Sequence, residues 1–167
     1  MKRVLRLFSV LGVALLTYTG ANAQLPAGSI APNFTKTDIN GVEHTLYDLL
    51  DEGYSVVLDF SATWCGPCWS YHTAGTLHDL YADYGPDGAD KCIVWSIEAD
   101  DDTTLEDLNG TGSNTQGDWV TGVDYPIFDD CYDIFLDYAC TYYPTIYTVC
   151  PNRLITETGQ ASLSAHK

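Results

Sequence analysis

Basic side chains are scarce in this chain, which has 7 Lys and Arg against 23 Asp and Glu and a formal net charge of −16. Three of the seven, Lys2, Arg3 and Arg6, lie at the N-terminus, so residues 24–167 carry a net charge of −19. A field of this sign repels nucleic acid and anionic membrane surfaces, so we expect neither as a partner. We expect the acidity to keep the domain soluble. Recruitment of a basic partner is the alternative.

Long hydrophobic runs are also missing, apart from one near the N-terminus. It extends from Leu7 to about Tyr18, follows the basic residues and precedes Ala21-Asn22-Ala23. This run is well short of the roughly 20 apolar residues that cross a bilayer. The pattern is typical of a secretory signal peptide at residues 1–23, cleaved near Ala23/Gln24. It predicts a secreted or periplasmic protein without stable membrane insertion, and a retained anchor is the alternative.

Metal-binding patterns are sparse as well. Six cysteines and four histidines include only one Cys-x-x-Cys, and His72 and His78 have no second ligand pair beside them. The run from Asp100 to Asp102 is not followed by the glycine and glutamate that an EF-hand loop needs. We therefore expect no metal site, and we interpret the aspartate run as a solvated loop.

The apolar patterns predict one α/β domain, for which 167 residues with 46% apolar content suffice. Two buried strands joined by a helix form a β-α-β unit, and Asn40-Gly41 predicts a hairpin before it. The polar, glycine-rich stretch 100–123 is interpreted as an insertion. The predicted strands are 55–60, 92–97, 125–128, 145–150 and 154–157, and the predicted helices are 46–50, one from the Cys-x-x-Cys motif to about residue 84, 103–108 and 132–138.

The Cys65-Gly66-Pro67-Cys68 motif follows the first buried strand and begins a helix. The helix N-terminus favours a thiolate over a thiol, and proline at the start of a helix costs no hydrogen bond. We expect Cys65 to be exposed at the helix start and to attack, and Cys68, one turn further on, to resolve the mixed disulfide. The motif therefore predicts disulfide exchange.

Asp59 interrupts the apolar strand six residues before Cys65. A carboxyl group at that place is costly to bury, and burial raises its pKa towards neutrality. We predict that Asp59 accepts the proton of Cys68 during exchange. An aspartate that faces solvent at the end of the strand is the alternative.

Residues 57–68, V-L-D-F-S-A-T-W-C-G-P-C, closely resemble the active-site segment of thioredoxins, and Tyr143-Pro144-Thr145 resembles their cis-proline loop. The leader is similar to that of secreted thioredoxin-like proteins of the TlpA and peroxiredoxin branch. Its matching residues are Gly28, Ala31, Pro32, Phe34, Asp38, Gly41 and Leu46. The resemblance implies a thioredoxin-like fold over 24–167, a central mixed β-sheet flanked by helices, with an N-terminal hairpin and the insertion before the cis-proline loop.

The same resemblance implies that Tyr143 and cis-Pro144 lie against the cysteine pair and bind substrate, together with Trp64, Gly66 and Pro67. It also implies a thiol–disulfide oxidoreductase that acts on protein thiols and disulfides without an organic cofactor. The Gly-Pro dipeptide is similar to that of reducing thioredoxins, so we expect a reductase supplied by a membrane or periplasmic electron donor. A peroxiredoxin-like peroxidase and a binding module with a permanent disulfide are the alternatives.

Three features depart from the thioredoxin pattern. The strand at 92–97 has no lysine to face Asp59, so the pKa of Asp59 is expected to differ from that of its counterpart. Trp69, Tyr71 and His72 make the rim of the site aromatic, either for partner choice or for packing. The terminal segment 161–167 is too short for the full helix that should follow the last strand, so the C-terminal helix is expected to be truncated.

The other four cysteines, Cys92, Cys131, Cys140 and Cys150, allow three complete pairings. If the helix at 132–138 forms, Cys131 and Cys140 are roughly 13 Å apart along it, which is too far for a disulfide. We interpret Cys140 as a buried apolar side chain. None of the four is expected to take part in catalysis.

Overall fold

The computed structural model describes residues 24–166. The predicted signal peptide, residues 1–23, lies outside the described residues, so its cleavage near Ala23/Gln24 stays a prediction. At the centre is strand β3 (Ser55–Ser61), whose apolar side chains are buried on both faces of a sheet. Strands buried on both faces have near-continuous apolar runs, which is the pattern that predicted this strand.

Five strands form the central sheet in the order β5-β4-β3-β6-β7. β3 is parallel to β4 and antiparallel to β6, so the sheet is mixed, as the resemblance implied. The register sets Asp59 beside Ser96 on β4 and beside Ile146 on β6. The other four strands are β4 (Cys92–Glu98), β5 (Ile127–Phe128), β6 (Thr145–Val149) and β7 (Ile155–Glu157).

The predicted N-terminal hairpin is present and consists of β1 (Thr35–Thr37) and β2 (Glu43–Thr45). Its turn is held by the Asp38 carboxylate, which accepts hydrogen bonds from the amides of Asn40 and Val42, both at 2.9 Å. Gly41 has a φ of +84°, a conformation that glycine adopts without strain.

One helix was predicted from the cysteine motif to about residue 84, and this prediction is wrong in one respect. The segment forms two helices, α2 (Gly66–Thr73) and α3 (Thr76–Tyr84), which are separated at Ala74 and Gly75. Gly75 has a φ of +75° and begins α3. A left-handed residue cannot continue a right-handed helix, so the chain changes direction here.

Helices cover the two faces of the sheet differently. On one face α1 (Leu46–Asp51) and α5 (Tyr132–Asp137) pack with Leu58 and Phe60 of β3. On the other face α2 and α3 pack against Val57, the neighbour of these residues along the strand. Because side chains alternate along a strand, Asp59 belongs to the face that α2 covers.

The polar insertion contains the short helix α4 (Leu105–Leu108), as predicted, and then folds back against the cysteine motif. Near the C-terminus a single 3-10 turn, Leu163–Ala165, stands where a truncated helix was expected. The strand predicted at 125–128 is shorter and consists of β5 alone. Among residues 24–166 no helix is both long and apolar enough to cross a membrane.

Candidate active site

Cys65 and Cys68 form a disulfide at the N-terminus of α2. Cys65 is the N-cap residue, and its sulfur accepts a hydrogen bond from the amide of Cys68 at 3.2 Å. Pro67 lies in the first turn of the helix, where no amide hydrogen is needed. The first turn of a helix stabilises negative charge, so this position favours a Cys65 thiolate when the bond is reduced.

Cys65 was expected to be exposed, and the structure contradicts this. Cys65 is 3% exposed and Cys68 is 4% exposed. Both pack in a cluster with Leu108 and Trp119 of the insertion, and Tyr143 lies against that cluster. Residues of the insertion therefore help to bury the disulfide.

The segment between Asn114 and Trp119 is hydrogen-bonded to the loop that precedes α2. The Thr63 hydroxyl donates to the Asn114 carbonyl at 2.7 Å, and the Gln116 amide donates to the Thr63 carbonyl at 2.9 Å. The Gln116 side-chain amide donates to the Trp64 carbonyl, also at 2.9 Å. These three bonds hold the insertion beside the cysteine pair.

The aromatic residues that follow the motif pack rather than project into solvent. Trp69 stacks on His72 with ring centroids 5.4 Å apart, and it meets Trp119 edge-on at 5.0 Å. A Cβ atom on Gly117 would lie 2.6 Å from the Trp69 ring, so glycine permits this close approach. Tyr71 is buried, and its hydroxyl donates to the Ala161 carbonyl at 2.9 Å. Packing thus accounts for the positions of these residues, and a role in partner choice stays a prediction.

Asp59 is buried in the middle of β3, so the solvent-facing alternative is wrong. Its Oδ1 atom has no hydrogen-bond partner within residues 24–166, and burial raises the pKa of this carboxyl to about 7. Burial raises the pKa of Tyr71, which lies one turn after Cys68 on α2, and the charge of Asp59 raises it further. Residues three apart share a helix face, so Asp59 lies beneath the part of α2 that carries Cys68.

The Tyr143–Pro144 peptide bond is cis, as the resemblance implied. The Tyr143 hydroxyl donates to the Ala99 carbonyl at 2.6 Å, which fixes the loop before β6 to the end of β4. Trp64 lies beside Tyr143 with ring centroids 6.0 Å apart and in edge-to-face geometry. Its indole nitrogen donates to Asp100 Oδ2 at 3.1 Å.

The structure thus brings the predicted site residues together at one end of the sheet. Trp64 is exposed there and is not a core residue. Gly66 has open space where a side chain would be, and the Pro67 carbonyl accepts a hydrogen bond from the Gln160 side chain at 2.8 Å. The roles of these residues in substrate binding stay predictions.

Glu98, at the end of β4, is a buried carboxyl that the sequence analysis missed. Its Oε1 accepts from the Thr63 amide at 3.3 Å, and its Oε2 accepts from the Asp100 amide at 3.4 Å. Burial raises its pKa to about 7, although hydrogen bonds from Thr103, Thr63 and Asp100 act in the opposite direction. The sequence signal was weaker than for Asp59, because Glu98 follows the apolar run at the end of its strand and does not interrupt it.

Asp100, Asp101 and Asp102 form the one group of potential metal ligands that comes together in residues 24–166. Their carboxylate oxygens lie within 4.8 Å of one another. Asp100 already accepts from the Trp64 indole through Oδ2 and from the Asp102 amide, at 3.0 Å, through Oδ1. The aspartate loop therefore binds the Trp64 side chain through Asp100, while Asp101 and Asp102 are exposed to solvent.

The remaining four cysteines are free thiols in the described structure. Cys131 and Cys140 flank α5, which confirms the helix that was expected to keep them apart. Burial raises the thiol pKa to about 11 for Cys92 and to about 12 for both Cys131 and Cys140, which disfavours their thiolate forms near neutral pH. Cys150 is exposed at the end of β6.

No protein-family model matches the chain. The chain is 33% identical over 92 residues to the thiol-disulfide oxidoreductase ResA of Geobacillus kaustophilus, which covers 54% of this chain and 51% of that one. It is 29% identical over 131 residues to the thioredoxin-like protein YneN of Bacillus subtilis, with 78% of this chain and 69% of that one covered. The chain thus spans about half the length of the ResA relative.

Among solved structures, the thioredoxin domain of a thiol-disulfide oxidoreductase from Bacteroides vulgatus is similar to the chain with a TM-score of 0.58. The two are 21% identical, and the match covers 80% of this chain and 87% of that one. This likeness establishes the fold. The mixed sheet and the cysteine pair at the start of α2 thus belong to a thioredoxin-like fold, in a chain whose sequence is similar to thiol-disulfide oxidoreductases and thioredoxin-like proteins.

Proposed function

We propose that the protein is a thiol–disulfide oxidoreductase in which Cys65 and Cys68 exchange electrons with protein thiols and disulfides. The observation that carries the proposal is the cysteine pair at a helix N-terminus with Asp59 buried beneath it. A helix N-terminus stabilises the attacking thiolate, and a carboxyl with a pKa of about 7 exchanges protons at neutral pH.

In the proposed reducing direction, the Cys65 thiolate attacks one sulfur of a substrate disulfide. A mixed disulfide forms and the first substrate thiolate leaves. Cys68 then gives its proton to Asp59 and attacks the Cys65 sulfur. The Cys65–Cys68 bond closes, and the second substrate thiolate leaves and takes a proton from solvent. Two electrons pass to the substrate, and a dithiol electron donor must restore the reduced pair.

We further propose that the protein works in an oxidising compartment, as a secreted or periplasmic protein. The basic and apolar pattern of residues 1–23 supports this location. The Gly66-Pro67 dipeptide supports the reducing direction through its likeness to thioredoxins. Exchange of this kind needs no organic cofactor, because the cysteine pair itself carries the electrons.

The burial of both sulfurs favours a second candidate, a binding module with a permanent disulfide. The reduction potential of the pair separates the two candidates, and it can be measured by equilibration in redox buffers with mass-spectrometric trapping of thiols. A value near −270 mV is expected for a reductase and one near −120 mV for an oxidant. A pair that stays oxidised below roughly −300 mV is a structural disulfide and contradicts the proposed activity.

Single-cysteine variants complete the test. Cys65→Ser is expected to abolish reduction of a disulfide peptide, whereas Cys68→Ser is expected to accumulate a mixed disulfide on Cys65. Cys150→Ser, which removes an exposed thiol at the other end of β6, is the matched control and should react like the parent protein. Peptide reduction that survives Cys65→Ser would contradict the assignment.

A further inference from the structure

Four aromatic rings form a continuous row that begins beside the disulfide and ends on α5. In order, the rings are Trp64, Tyr143, Phe135 and Tyr132. Successive centroids are 6.0 Å, 4.7 Å and 6.0 Å apart. We call this set the aromatic row. It joins the residue before Cys65 to the cis-proline loop and then to the outer surface of α5.

The two ends of the row are open to solvent. Trp64 is 43% exposed and Tyr132 is 37% exposed. Leu136, one turn after Tyr132, is 57% exposed, and Tyr142, beside the cis-proline loop, is 50% exposed. Phe135, between the two ends, is buried in the core, so the exposed parts of the row are its ends. Single exposed apolar side chains are ordinary on protein surfaces, whereas several of them beside a reactive group indicate a contact surface.

Hydrogen bonds hold these rings in fixed positions before any partner arrives. Trp64 donates to Asp100 at 3.1 Å, and Tyr143 donates to the Ala99 carbonyl at 2.6 Å. The Tyr142 hydroxyl donates to Glu157 Oε1 at 2.5 Å. A surface that is already ordered loses less conformational entropy when a partner binds.

Acidic side chains flank the row along its length. Burial raises the pKa of the Tyr143 hydroxyl, and the nearby charges of Asp100 and Asp101 raise it further. Asp133 and Asp137 are exposed on α5, next to Tyr132 and Leu136 in sequence. This negative potential covers both ends of the row.

Two of the three basic side chains in residues 24–166 lie far from the row. Lys91 precedes β4, and Arg153 lies in the turn between β6 and β7, so both belong to the end of the sheet opposite the disulfide. Arg153 pairs there with Asp51 at 2.8 Å. Lys36 lies nearer, because it donates to the Asp130 carbonyl just before α5. The aspartates that flank the row outnumber this one cation, so the border of the row carries a net negative charge.

We propose that the aromatic row is the docking surface for a basic segment of the substrate protein. The charge of the border fits lysine and arginine, whose aliphatic stems pack on aromatic rings while their charged ends reach carboxylates. The centroids span at most about 17 Å, which matches about five residues of extended chain. The substrate class is thus a disulfide protein with a cationic segment near its reacting cysteine. This inference rests on the proposed thiol–disulfide exchange.

The test compares two synthetic peptides that carry the same glutathione mixed disulfide and differ only in having four lysines or four glutamates beside the cysteine. Hydroxyethyl disulfide, which is too small to reach α5, serves as the third substrate. We expect kcat/KM to be at least 10-fold higher for the basic peptide than for the acidic one. Screening at 1 M salt should remove most of that difference.

The variant Asp133→Lys/Asp137→Lys reverses the charge on α5 without touching the disulfide. We expect the basic-to-acidic ratio of kcat/KM to fall at least 5-fold, with reduction of hydroxyethyl disulfide unchanged. Asp83→Lys/Asp87→Lys changes the net charge equally, in exposed residues in and just after α3 on the other face of the sheet, and should leave the ratio as it is. Asp133→Asn/Asp137→Asn, a milder change, should give an intermediate ratio.

The outcomes separate the two proposals. Failure of the parent protein to reduce hydroxyethyl disulfide contradicts the proposed function. Reduction of that compound with equal rates for the two peptides contradicts the docking proposal alone. A ratio that is unchanged in both α5 variants, or that falls equally in the α3 control, also overturns it.

Discussion

Two buried carboxyl groups on neighbouring strands differ in what surrounds them. Burial raises the pKa of both Asp59 and Glu98 to about 7. Asp59 lies in the middle of β3 with Oδ1 unpartnered among the described residues, whereas each oxygen of Glu98 accepts a backbone amide. A carboxyl without partners is free to take up and release a proton. One that holds two amides is part of the framework.

The amides that Glu98 holds belong to the two loops that shape the site. Thr63 precedes the cysteine motif, and Asp100 accepts the indole N–H of Trp64. Glu98 therefore acts as a positioning residue for Trp64, while Asp59 is the group proposed to exchange a proton with Cys68. Similar pKa values thus accompany different roles, and the hydrogen-bond partners distinguish the roles.

The largest expected effect is on the rate at which the mixed disulfide resolves. Asp59→Asn removes the proposed proton acceptor, so we expect resolution to slow about 100-fold at pH 7 and the rate inflection near pH 7 to disappear. Stopped-flow measurement on a Cys65–glutathione mixed disulfide gives both quantities. Glu98→Gln is the matched control and should stay within about 3-fold of the parent protein. Equal slowing in the two variants would erase the distinction between the carboxyls.

For stability we expect the opposite order, with a larger loss from the change at Glu98 than from the change at Asp59. Glu98→Ala leaves the amides of Thr63 and Asp100 without their acceptor, and we expect the free energy of unfolding to fall by about 2 kcal/mol. Asp59→Asn removes a buried carboxyl whose Oδ1 has no hydrogen-bond partner among residues 24–166, so it should be neutral or stabilising at pH 7. Urea denaturation of the oxidised proteins measures both changes. The emission of Trp64, isolated by difference from a Trp64→Phe background, should shift only in the Glu98 variant. A larger loss in Asp59→Asn would reverse the comparison.

The pH dependence of stability follows from the direction of the two shifts. Each carboxyl has a higher pKa folded than unfolded, so the folded state binds more protons between about pH 4 and 7. The free energy of unfolding therefore decreases as pH rises through this range. We expect Asp59→Asn to make the decrease about 3 kcal/mol smaller, measured by urea denaturation at several pH values. An unchanged slope would mean that Asp59 is not the buried titrating group.

Local patterns were sufficient to predict the parts of the site that lie close together in sequence. The cysteine pair, its helix and the buried Asp59 all follow from one strand-turn-helix segment. The coverage of Cys65 was not predicted, because Trp119 lies 54 residues further along the chain and its packing depends on tertiary structure. Gly75 was likewise overlooked, since a glycine within a helical pattern does not by itself indicate a left-handed residue.

Glu98 shows why a sequence pattern can be present and still not be used. An acidic residue at the last position of a strand usually faces solvent, so its position alone did not predict burial. Its burial results from the loops at Thr63 and Asp100, which come together only after β3 and β4 pair. The segments that cover Glu98 are distant from it in sequence, and the apolar periodicity of one strand gives no information about such distant contacts.

The smallest expected effect comes from giving Asp59 the cation that thioredoxins commonly place near it. Ser96 is the register neighbour of Asp59 on β4, so Ser96→Lys introduces a positive charge on the adjacent strand. An opposite charge at this distance favours the ionised carboxyl, and we expect the inflection in the resolution rate to move about one pH unit below its position near 7. Ser96→Met adds similar length without charge and should leave the inflection in place. If both variants move it equally, packing rather than charge controls Asp59. A shift with lysine alone would show that a nearby charge can control the pKa of Asp59. It would follow that burial sets this pKa in the parent protein because no cation offsets it, whereas hydrogen bonds from backbone amides offset the burial of Glu98.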